Sequence, residues 1–125
     1  MGCISEITGH TKLTGLLGSP VAHSKSPLMH NESFKELGLD YVYLCFDVPE
    51  NNLKTAFEGL KKLKVAGFNC TMPDKTLICE LVDELSPAAS MIGAVNTVVN
   101  DNGKYVGHNT DGIGYMQSVK DAGYN

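Results

Sequence analysis

The sequence predicts an α/β domain, a largely parallel sheet with one antiparallel hairpin and helices on both faces. Three observations carry this expectation. Short apolar runs alternate with segments whose apolar residues recur at three- and four-residue steps, so strand follows helix along the chain. Two Ser-Pro pairs, Ser26-Pro27 and Ser86-Pro87, have the form of a helix cap followed by a proline in the first turn. Asp101-Asn102-Gly103, between two strand-like runs, is a strong hairpin turn signal.

Taken in order, residues 1–12 are polar and aperiodic and read as a loose tail. The run 13–18 is a buried strand that enters a loop at Gly18-Ser19-Pro20. Ser26 then caps a helix whose apolar face is Leu28, Met29, Phe34 and Leu37, and Gly38 stops it. Residues 41–48 are dense in aromatic and β-branched side chains and form a second strand. A helix over 49–63 carries Leu53, Phe57, Leu60 and Leu63, and a strand over 65–71 follows. Residues 73–85 read as helical on the spacing of Leu77, Ile78, Leu81, Val82 and Leu85, with a short helix over 87–92 after them. Strands over 95–100 and 104–108 flank the hairpin turn, and a helix over 110–122 ends at Gly123.

With 125 residues, 42% of them apolar and 19% charged, the chain is long enough for one domain with a real core. Its net charge of −4 is not gathered into blocks, and no basic patch marks a nucleic-acid partner. No apolar run reaches the roughly 18 residues of a membrane span. Met1-Gly2-Cys3-Ile4-Ser5-Glu6 lacks the Ser or Thr that myristoylation needs at its sixth position. The four cysteines are scattered without a Cys-x-x-Cys pair, the pattern of reduced thiols in a cytoplasmic protein.

Polar residues gather where expected strands give way to helices, the place where open α/β sheets hold ligands. The clusters are His23-Ser24-Lys25-Ser26, Asn69 to Lys75, Ala94-Val95-Asn96-Thr97 and Asn109-Thr110-Asp111-Gly112. Each has a local explanation: Ser26 can cap a helix, Asn69 and Thr71 can bond nearby backbone, and Asp111 can sit on a helix dipole. Together they form a coherent chemistry. Hydroxyls at a helix start suit a carboxylate, Asn and Thr suit a polyol, and Lys75 with Asp111 can exchange a proton with a carbonyl or alcohol. Sharper motifs fail. Gly112-Ile113-Gly114 lacks the third glycine of a dinucleotide turn, because position 117 is Gln117. His23, His30 and His108 lack the spacing of a metal site. A triad of Ser24, His108 and Asp111 has no nucleophile elbow to support it.

At these residues the chain resembles the shikimate dehydrogenase family, most closely its shikimate/quinate branch. The matching stretches run in family order: 18–27, from Gly18 to Pro27; 67–75; Val82 to Ala89; Ile92 to Thr97; and Gly107 to Gly114. The resemblance implies that Ser24 and Ser26 hold the substrate carboxylate, with Tyr43 a further candidate at that end. It implies that Asn69, Thr71, Asn96 and Asp111 meet ring hydroxyls, and that Lys75 and Asp111 form the catalytic pair at the C3 oxygen. Asp74 departs from the His that many relatives have before the lysine. Family members continue past the last helix into an NAD(P)-binding domain and return a late helix that offers a glutamine to the substrate. The expectation is therefore a substrate-binding catalytic domain over 1–125, with 110–125 leading to an absent domain that binds NADP or NAD. Alone it would be inactive and would expose apolar surface open to self-association. Its ligands would be shikimate and 3-dehydroshikimate, with quinate a further candidate, and no nucleic acid or membrane. Two other readings stay open at this point: a non-catalytic module that binds a polyol acid, and a small hydrolase that depends on Ser24.

Overall fold

The computed structural model describes residues 6–110. The helix expected after Thr110, and Asp111 with it, lie outside the described residues. The sheet has six strands: β1 (Lys12–Gly18), β2 (Tyr41–Asp47), β3 (Gly67–Cys70), β4 (Glu84–Leu85), β5 (Thr97–Asp101) and β6 (Lys104–His108), in the order β2-β1-β3-β5-β6-β4. β1 pairs in parallel with β2 and β3, and β4 pairs in parallel with β6, while β5 runs against both of its neighbours. The expected parallel sheet with its β5–β6 hairpin is therefore present. Asp101 faces Lys104 across the turn, and Asn102 and Gly103 both have positive φ, which the Asn-Gly pair tolerates best.

Successive residues of a strand point to opposite faces, and Leu16 and Leu17 show this in β1. Leu17 belongs to the main core with Phe68, Cys70, Val98 and Tyr105 from the sheet. Leu53, Phe57 and Leu60 of α2 (Leu53–Lys62) cover that face, one turn apart as the sequence predicts, together with Ile78 and Ala89. Phe57 meets Phe68 and Tyr105 edge-on, with ring centroids 5.9 and 5.8 Å apart. Each large apolar side chain buried here stabilises the fold by about 1.5–3 kcal/mol relative to exposure. Leu16 faces the other way, into a smaller cluster with Val21 and Tyr43, against which Phe34 of α1 (Ser26–Leu37) packs. Helices thus cover both faces.

Four expectations change. Lys25, not Ser26, is the N-cap of α1; Ser26 is its first residue, and the Ser24 hydroxyl accepts a bond from the Ser26 N–H at 3.1 Å. Leu28, Met29 and Leu37 are exposed, so of the apolar face assigned to α1 only Phe34 packs inward. The helix expected over 73–85 breaks up into α3 (Asp74–Leu77), a 3-10 turn (Ile78–Glu80) and β4. Long-range pairing overrides helical spacing there: the Asp83 N–H donates to Tyr105 O at 2.9 Å, and the Asp83 carboxylate accepts from the Tyr105 N–H at 2.9 Å. Finally, the tail is tied down near its end. Lys12 already belongs to β1, and the Thr11 hydroxyl donates to Asp40 at 2.7 Å.

Gly38 ends α1 in the left-handed conformation, and Ser86 caps α4 (Pro87–Ile92) by accepting from the Ala89 N–H, both as expected. Among the described residues the three cysteines are free, and no helix is long and apolar enough to cross a membrane.

Candidate functional site

The C-terminal ends of β1, β3 and β6 and the start of β5 meet at one edge of the sheet, and in register Leu16, Asn69, Thr97 and His108 form a row beside it. Loops at that edge are stitched to one another through the backbone. At Gly18 a Cβ would collide with the Thr71 methyl, so only glycine lets the loop carrying the serines approach the loop carrying Thr71 and Lys75. Ser19 N–H donates to Met72 O at 3.1 Å, and Thr71 N–H donates to Leu17 O at 2.9 Å. Val95 N–H donates to Lys75 O at 2.8 Å, Cys70 N–H to Asn96 O at 3.0 Å, and Asn96 N–H to His108 O at 3.0 Å. The segments carrying Asn69 to Lys75 and Ala94 to Thr97 therefore meet the end of β1 and the residues that follow β6 at one place.

Side chains extend this stitching into a directed hydrogen-bond chain. The Tyr43 hydroxyl donates to Asn69 Oδ1 at 2.9 Å. Asn69 Nδ2 donates to Thr97 Oγ1 at 3.1 Å and to Asn96 O at 3.2 Å. The Thr97 hydroxyl donates to Asn96 Oδ1 at 3.1 Å, and Asn96 Nδ2 donates to Thr110 Oγ1 at 2.8 Å. Thr110 N–H returns a bond to Asn96 Oδ1 at 3.0 Å. Ser26 lies near the other end, close enough for its hydroxyl to favour the ionised Tyr43 phenol. Burial is the main reason that phenol is pushed up to about 12; the neighbouring Cys45 adds to the shift and the Ser26 hydroxyl opposes it.

α1 supplies the support for Tyr43. Asn31 accepts from the Tyr43 N–H at 2.8 Å and donates to its carbonyl at 2.9 Å, while the His30 ring stacks on the Tyr43 ring at 4.2 Å. An open groove of about 630 Å³ runs along the same face. Its lining includes His30, Tyr43, Asn69 and Thr97, and leaves out Ser24, Ser26, Thr71 and Lys75.

Asp74 is a different case. It is completely buried, and neither carboxylate oxygen has a hydrogen-bond partner. Burial first, and then the Glu50 carboxylate, raise its pKa to about 6. Burial, followed by the charge of Asp74, pushes the Cys70 thiol up as well.

Of the residues singled out in the sequence, Tyr43, Asn69 and Asn96 share the chain of bonds, and Ser26 lies beside its Tyr43 end. Ser24 and Thr71 lie half-buried on loops, and Lys75 half-buried in α3, in segments near the stitched sheet edge. Asp111 lies outside the described residues. Sequence reasoning missed His30 and Asn31 and gave Thr97 no role. A usable signal was present in Ser26, His30 and Phe34, which repeat every four residues and mark a mixed polar and aromatic face turned inward. Among the described residues no group of three His, Cys, Asp or Glu side chains could hold a metal ion. Hydroxyls, amides and one ammonium instead suit a polyhydroxylated acid.

The family described as the shikimate dehydrogenase substrate binding domain matches residues 16–98. The NADP(+)-dependent shikimate dehydrogenase of Alkaliphilus metalliredigens is 59% identical over 118 residues, covering 94% of this chain and 41% of the relative. That of Listeria monocytogenes serotype 4b is 55% identical over 120 residues, again with 41% of the relative covered. A crystal structure of shikimate 5-dehydrogenase from Listeria monocytogenes in complex with shikimate and NAD superposes with a TM-score of 0.85 at 54% identity, covering 96% of this chain and 42% of that one. The chain thus spans about 41% of the length of the curated relatives it matches.

Proposed function

Since this chain belongs to the shikimate dehydrogenase substrate-binding domain family, we propose that it is the substrate-holding half of an enzyme that reduces 3-dehydroshikimate to shikimate. The observation that carries this reading is the bond chain from Tyr43 through Asn69, Thr97 and Asn96 to Thr110, with Ser26 beside its Tyr43 end, which draws separate segments of sequence into one polyol-reading edge. The domain covers 1–125 in this reading, and the nicotinamide is carried by a part corresponding to the remaining length of the relatives. The relatives named for NADP(+) and the neighbour solved with NAD support that class of cofactor. The described residues include no glycine-rich turn for its pyrophosphate. When bound, the cofactor supplies the hydride.

This chain's own residues take the other tasks. Ser24 and Ser26, at the start of α1, hold the carboxylate with help from the free N–H groups and dipole of that helix. Asn69, Thr71 and Asn96 meet ring hydroxyls. Lys75 Nζ hydrogen-bonds the C3 ketone oxygen and delivers the proton that converts it to a hydroxyl, and Asp111 orients the lysine and relays a proton from solvent back to it. Stabilising charge on that oxygen is the largest contribution a fixed ammonium can make. Quinate, which shares the carboxylate and hydroxyl pattern, is proposed as a second ligand. A cytoplasmic setting and a role in aromatic amino-acid synthesis by way of chorismate belong to the same reading.

The test joins this chain to the cofactor-binding remainder of the Alkaliphilus relative and follows shikimate oxidation. Lys75→Ala is expected to lower kcat by about 10²-fold or more with little change in KM, the signature of an interaction made at the transition state. Asn69→Ala is expected mainly to raise KM. Near-normal kcat in the Lys75 variant would remove the catalytic assignment. Retained shikimate binding without any turnover in the fusion would favour a non-catalytic module.

A further inference from the structure

The hydrogen-bond chain has a fixed direction, and that direction decides what Asn69 can recognise. Asn96 O is a carbonyl and only accepts, so the Asn69 atom facing it is the amide nitrogen, and the atom facing Tyr43 is the oxygen. Both hydrogens on Nδ2 are occupied, one by Asn96 O and one by Thr97 Oγ1. Thr97 cannot release its share easily, because its own hydrogen is committed to Asn96 Oδ1. What remains to Asn69 is a lone pair on Oδ1.

We infer that His30 and Asn31 are positioning residues: they hold the Tyr43 hydroxyl on Asn69 Oδ1 and so steady an amide already turned by Asn96 O and Thr97, which leaves Asn69 to accept from a substrate hydroxyl and not to donate to a carbonyl. Asn31 grips the Tyr43 backbone through both its N–H and its carbonyl, and His30 lies nearly parallel to the phenol ring, 18° from coplanar. Between them they fix both the main chain and the ring, and therefore the position of the hydroxyl oxygen. The inference rests on the reading that Asn69 touches the substrate. It goes further by naming the chemical class at that contact: a hydroxyl that stays a hydroxyl, and so not the carbon that is oxidised and reduced.

Two measurements on this chain test it. With isotope-labelled asparagine, the side-chain amide hydrogens of Asn69 are expected to exchange with water about tenfold more slowly than those of the exposed Asn51, given one stable hydrogen bond each. Asn31→Ala, His30→Ala and Tyr43→Phe should each speed that exchange, and His30→Phe, which keeps a stacked ring, should restore it. Tyr43→Phe removes one oxygen and leaves the fold's packing in place, so the result does not depend on a disruptive change. Unaltered Asn69 exchange in Tyr43→Phe and in Asn31→Ala would overturn the clamp. Calorimetry then compares shikimate with its deoxy and keto analogues at the non-reacting ring carbons. At one position the keto analogue should bind no better than the deoxy analogue, and that order should persist in Tyr43→Phe, because Asn96 O still holds the amide nitrogen, while shikimate itself should bind about fivefold more weakly as the amide loosens. A keto analogue bound as tightly as shikimate at every position would sink the inference. If the exchange results hold but Asn69→Ala leaves shikimate affinity unchanged, the clamp stands and the substrate role of Asn69 falls.

Discussion

The two faces of the sheet are held by different means. Under α2 the contacts are apolar: Leu53, Phe57 and Leu60 fill the space above Leu17, Phe68 and Val98. Under α1 the inward positions are His30, Asn31 and Phe34, and the tightest contacts are two side-chain bonds to one peptide and one stacked ring. Burial of carbon is roughly proportional to area and tolerates small shifts. Hydrogen bonds to a strand do not, since their strength falls steeply with distance and angle. The α2 face is suited to stability and the α1 face to precision, and the candidate site lies on the α1 side.

The difference can be broken most severely at Phe57. Phe57→Ala is expected to destabilise the chain by about 3–5 kcal/mol in denaturant unfolding, the usual cost of removing a buried aromatic ring. A loss under about 1 kcal/mol would mean that the α2 face is not the main core.

Asp74 sharpens the contrast because it is a polar group without a partner on the side where carbon dominates. Its pKa in the fold is raised from 3.8 to about 6, so the folded chain holds this proton more firmly than the unfolded chain does. The stabilisation is complete below the unfolded value and is lost as pH rises through about 6. Unfolding midpoints should therefore decline as pH rises from about 4 to about 6, and Asp74→Asn should flatten most of that decline. A variant with the same slope as the parent would place the pH dependence elsewhere.

The smallest effect is expected on the α1 side. Asn31→Ala should cost about 1–2 kcal/mol, with faster amide exchange confined to Tyr43 and its neighbours in β2. A global loss as large as that of Phe57→Ala would erase the distinction between the faces.

Where carbon decides, the sequence was easy to read. The spacing of Leu53, Phe57 and Leu60 predicted the buried side of α2, and Asn102-Gly103, Gly38 and Ser86 marked a turn, a helix end and a cap by local chemistry alone. The same rule misled in α1, where Leu28, Met29 and Leu37 look like a core stripe and are exposed. It misled again after Leu77, because the pairing of Glu84 with Val106 and of Leu85 with Gly107 depends on residues twenty-two positions downstream. The polar clusters were legible as a set, since strand ends in an α/β sheet converge. The links among them were not, because Tyr43, Asn69 and Thr97 meet only through sheet register.

β2 forms one border of the sheet, and Asn31 occupies both outward-facing groups of Tyr43 in it. A border strand with free N–H and C=O groups is a template on which a further chain can add. Here a side chain already imitates the missing neighbour at that residue, so an incoming segment would have to displace two bonds before gaining its own. The amide that steadies the phenol therefore also guards the molecule against edge-to-edge aggregation.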